Sequence, residues 1–151
     1  MSNLSNNYIA GDWVKGASSI SNINPSNTND VIGEFAQASN SQLEDALNSA
    51  QVAQRQWAAT GLEQRQAVLM KIGEEMMARS AELGELLSRE EGKPVAEGKG
   101  EVYRAGQFFT YYAAEVLRQG GDTADSVRPN IEIDVRREPM GTVAIISPWN
   151  F

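Results

Sequence analysis

Asn150 is the residue whose type and position could best act on a reacting carbonyl. It follows "ISPW", the tip of an apolar run that begins "GTVAIIS" at Gly141. An amide N–H there can donate to an oxygen on which negative charge develops. In open α/β sheets, ligands gather beyond the carboxyl ends of parallel strands. Ser147, Pro148, Trp149 and Asn150 occupy that place after the run. The same four residues also read as a proline-initiated turn with Trp149 plugging a core. Spacing alone favours that plainer reading.

The rest of the chain offers little chemistry of its own. Its 151 residues contain no Cys and no His. That excludes a thiol nucleophile and disulfides, and removes the commonest general base and zinc ligand. Twenty Asp and Glu are present, but no spacing brings them to one point, so no metal site is expected. The net charge of −7 opposes binding to a phosphate backbone. No apolar run approaches the roughly 20 residues that span a bilayer. "MSNLSNNYIAGDW" lacks the basic and apolar regions of a signal peptide. A soluble, cytoplasmic protein is expected, with no nucleic acid or membrane partner.

The elements that must position Asn150 are readable from pattern. "NYIAGDWV" (residues 7–14) predicts a hairpin about Ala10-Gly11-Asp12. "SISNIN" and "VIGEFAQ" predict a second, joined by the turn formers of 25–30. Ser41 with Glu44, and Thr60 with Glu63, predict capping boxes opening two helices. The second carries one stripe from Leu62 to Leu87 and closes at Gly92 in a left-handed conformation. Pro94 suits the first turn of a third helix, which runs to Gly120-Gly121. Gly98 and Gly100 weaken its start by about 1 kcal/mol each.

Residues 130–138 alternate, with Ile131, Ile133 and Val135 on one side, and predict a strand with one wet face. Residues 141–147 do not alternate. They predict a strand buried on both faces, as in a parallel sheet covered by helices.

Several stretches resemble the aldehyde dehydrogenase superfamily. "REPMGTVAIISPWNF" is similar to the segment leading into its first cofactor-domain strand. "INPSNTNDVIGEFAQAS" resembles its N-terminal "NPATGEVI" segment, "EEGKP" (90–94) its helix junction, and "NYIAGDWV" its opening hairpin. The matches span the chain in family order. Ala10 stands where asparagine is usual, and Gly98 where a small helix former is common.

The resemblance implies an α/β fold: the N-terminal portion of a Rossmann-type cofactor domain, built from β-hairpins, three helices and the first parallel strand, plus part of an oligomerisation strand arm. It divides the chain into 1–120 (cofactor domain), 121–139 (arm) and 140–151 (start of the sheet). The implied reaction is NAD- or NADP-dependent oxidation of an aldehyde to its acid. A cysteine thiolate would form a thiohemiacetal and then a thioester, which water activated by a glutamate hydrolyses. Asn150 matches the amide that stabilises the thiohemiacetal oxyanion. Ile146, Ser147, Pro148, Trp149 and Asn150 match the strand end beside the cofactor, and Phe151 a position near the aldehyde tunnel.

Cysteine and glutamate are expected in sequence following Phe151, so the chain reads as the N-terminal piece of a longer homodimer or homotetramer, inactive by itself. "RAGQFFTYYAAEVLR" and "SVRPNIEIDVRREPMG" look most like members that oxidise α-ketoglutarate semialdehyde.

Two other features have plainer readings. "GKGEVYR" (98–104) lacks the strand and spacing of a phosphate-binding loop. Phe108, Phe109, Tyr111 and Tyr112 lie on the third helix and read as packing, although family resemblance puts that helix at the substrate entrance. A competing reading of the whole is a non-catalytic, acidic helical interaction module, which explains the missing Cys and His without further sequence.

Overall fold

A computed structural model describes residues 4–118 and 120–148. Ala10 and Gly11 have φ of 55° and 96°, so the first hairpin turns through two left-handed residues. Such loops match the twist of the flanking strands. They join β2 (Asn7–Ile9) to β3 (Asp12–Val14), after a short β1 (Leu4–Ser5). Tyr8 lies opposite Trp13, their ring centroids 4.9 Å apart. Ala10 carries a Cβ in a conformation that costs about 1 kcal/mol or more.

β4 (Ser18–Ile23) and β5 (Val31–Gln37) pair antiparallel, as the turn formers between them predict. Within that loop Asn24 accepts from the Ser26 N–H at 2.9 Å and donates to Asp30 at 3.1 Å. β1 joins β5 in parallel, giving the order β1-β5-β4. Two residues are too few for their pattern to predict this pairing.

Among the described residues four helices follow, where the sequence suggests three. α1 (Asn40–Ala58) is capped by Ser39 with Gln42 at N3, a reciprocal box two residues earlier than Ser41 and Glu44. The backbone decides: Ser39 is extended, whereas Ser41 already lies inside the helix. Thr60 likewise caps nothing. α2 (Leu62–Ala78) begins after Gly61 with no side-chain cap, and the Thr60 hydroxyl donates back to Trp57 O at 2.6 Å.

The stripe from Leu62 to Leu87 is divided between α2 and α3 (Ser80–Glu91), which meet at Arg79. α4 (Val95–Val116) follows Pro94 and ends before the expected glycines. Gly92 closes α3 at φ 79°, as its sequence position predicts.

The break at Arg79 lies between two close approaches to α4. α4 runs back along α2 and α3, and the backbones meet at two glycine pairs. A Cβ on Gly73 would lie 2.7 Å from Gly106 O, and one on Gly106 2.8 Å from Gly73 O. Gly84 and Gly98 oppose each other in the same way, with Ser88 Oγ also against Gly98. From Gly73 to Gly84 a straight helix would rise about 16 Å, but Gly106 to Gly98 spans only about 12 Å. Among the described residues, the buried apolar side chains are Val102 and Ala113, both on α4.

β6 (Asp122–Asp125) and β7 (Glu132–Val135) form an antiparallel hairpin whose eight residues are all exposed. The expected strand over 130–138 is thus shorter, since Asn130 turns left-handed at φ 61°. Its apolar side is uncovered as well: Ile131, Ile133 and Val135 are about half exposed.

Residues 141–148 form no strand, contrary to the pattern of 141–147, and Ile146 is 94% exposed. A strand needs neighbours for its N–H and C=O groups. None of the described strands pairs with this segment. Its apolar residues express a burial that no described residue supplies.

Candidate functional site

The segment leading to Asn150 starts beside the end of α1. Arg65, in the first turn of α2, reaches back to that end. Its guanidinium donates to Ala58 O at 2.9 Å, Thr60 O at 2.8 Å and Thr60 Oγ1 at 3.2 Å. These carbonyls lie where a helix leaves its last acceptors unpaired, and a cation there also suits the helix dipole. Trp57, Ala58 and Arg65 line a cavity of about 240 Å³ together with Pro139, Met140 and Gly141. Gly141, at φ 103°, turns the chain out of it. Trp57, Thr60, Gly141 and Thr142 border a wider apolar hollow beside it.

Beyond Gly141 the predicted site residues divide. Ile146, Ser147 and Pro148 lie together in the exposed segment, with no side-chain hydrogen bond or ion pair to another described residue. Trp149, Asn150 and Phe151 lie outside the described residues. No acidic or basic side chain occurs from 141 to 148, so an anionic ligand meets no repulsion along that strip. Among the described residues, no group of three or more Asp, Glu, His or Cys could hold a metal. No described helix is long and apolar enough to cross a membrane.

The aromatic group on α4 differs from the packing expectation. Phe108, Tyr111 and Tyr112 are half or more exposed, and only Phe109 is half-buried. Tyr111 and Tyr112 meet edge to face at 5.2 Å, and the Arg104 guanidinium lies 5.1 Å from the Phe108 ring centre. "GKGEVYR" is helical throughout, with Gly98 at the crossing with α3. It forms no phosphate-binding loop.

Three charged clusters position the framework, and periodicity did not reveal them. Arg89 on α3 donates twice to Asp30, at 2.6 and 2.9 Å. Those bonds, with the one from Asn24, hold the Asp30 carboxyl down to about 2. Ser26 Oγ donates to Gly92 O at 2.9 Å, so the loop of the second hairpin is fastened to the α3–α4 junction at two points. Lys93 pairs with both Glu101 and Glu91, little exposed, and these two, Glu101 foremost, raise its pKa. Arg79 grips Glu82 and Glu75 across the helix break and is raised by them. The one sequence signal is spacing: Arg79 stands four residues after Glu75 and three before Glu82.

Residues 13–151 match the model of the aldehyde dehydrogenase family. The α-ketoglutarate semialdehyde dehydrogenase of Haloferax volcanii is 32% identical over 100% of this chain and 32% of its own length. The structure of an NADP-dependent enzyme of E. coli superposes with a TM-score of 0.90 at 30% identity, over 96% of this chain and 30% of that one. Betaine aldehyde dehydrogenase of Staphylococcus aureus, in complex with NAD+, gives a TM-score of 0.83 at 26% identity, over 89% and 28%. The chain therefore spans about a third of the length of the relatives it matches. Its architecture is the N-terminal portion of their mixed α/β fold.

Proposed function

Because the chain belongs to the aldehyde dehydrogenase family, we propose that the protein oxidises an aldehyde to the carboxylic acid with NAD or NADP. The observation that carries this reading is the family match reaching through "SPWNF" itself, over residues 13–151. In this reading 1–120 begins the cofactor domain, 121–139 is an arm joining subunits into a homodimer or homotetramer, and 140–151 opens the Rossmann-type sheet.

Asn150 is the residue of this chain that acts on the reacting atoms. Its amide donates to the aldehyde oxygen as a thiolate from sequence beyond Phe151 adds to the carbonyl carbon. Such a donor contributes about 3 kcal/mol to the transition state. The nicotinamide dinucleotide, when bound, accepts the hydride. Ile146, Ser147, Pro148 and Trp149 would lie along it. Exposure and the lack of charge from 141 to 148 fit that role, because an apolar strip can lie flat against rings without opposing the phosphates. Phe151 would border the aldehyde's path.

The Haloferax relative supports a semialdehyde with a distal carboxylate as the substrate class, α-ketoglutarate semialdehyde foremost. The test compares kcat/KM of the whole protein for that semialdehyde and for an uncharged aldehyde of equal length, with each nucleotide. A charge-assisted contact contributes about 1.5–3 kcal/mol, so the semialdehyde is expected to lead by about tenfold or more. Equal values would reject the substrate class. Absence of nucleotide reduction with every aldehyde would reject the activity.

A further inference from the structure

We draw no further inference here: the strongest candidate, the open cavity of about 500 Å³ between the C-terminal end of α4 and Arg137, lined by Tyr111, Tyr112 and Arg118, carries nothing because nothing in the structure shows what covers it.

Discussion

At the scale of single residues, two side chains make separable predictions. In the proposed function Asn150 acts on charge that develops only during reaction. Asn150→Ala in the whole protein should therefore lower kcat/KM by about 10²–10³-fold and leave nucleotide affinity nearly unchanged. Steady-state rates beside a nucleotide titration check it. Near wild-type turnover would make Asn150 a turn residue. Asp30 serves the framework. Its folded value lies near 2, below the ordinary 3.8, so its contribution is complete above the ordinary value and fades as pH falls toward the folded one. The Tm advantage of the wild-type chain over Asp30→Asn should be steady near neutrality and shrink below about pH 4. An advantage that stays constant down to about pH 2 would show that the Arg89 bridge contributes nothing to the pH dependence.

At the scale of elements, the two glycines at the start of α4 separate local propensity from packing. Sequence assigns both the same weakening, yet a Cβ at Gly100 meets nothing within 4 Å, while one at Gly98 runs into Gly84 and Ser88. Gly100→Ala should stabilise by up to about 1 kcal/mol. Gly98→Ala should destabilise by about 1–3 kcal/mol, as overpacking does. Denaturant midpoints decide, and equal shifts for the two variants would contradict the glycine-mediated crossing. The same contrast explains what could be read in advance. The Ala10-Gly11 turn and the Gly92 cap are local: a few residues carry the whole conformational demand. The break at Arg79 lies between two crossings with α4, which no window of α2 or α3 contains. Ser39 and Ser41 each stand three residues before a Gln or Glu, so pattern permits either box and only the backbone selects.

At the scale of the whole molecule, the apolar pattern of 141–147 and the amide at Asn150 are legible in the sequence. The strand they imply is not formed, because its partners are not among the described residues. The chain spans about a third of its relatives, and it carries no thiol. In the proposed function these 151 residues supply the oxyanion donor and part of the cofactor surface to a nucleophile held elsewhere. The most direct measurement is NAD(P)H formation from α-ketoglutarate semialdehyde by two purified proteins: the 151-residue chain, and a polypeptide continued to the length of its relatives. The proposed function predicts no turnover from the first, and turnover from the second that a thiol-alkylating reagent abolishes. Turnover by the 151-residue chain itself, or none by the longer protein, would contradict it, and the second result would favour the non-catalytic helical module.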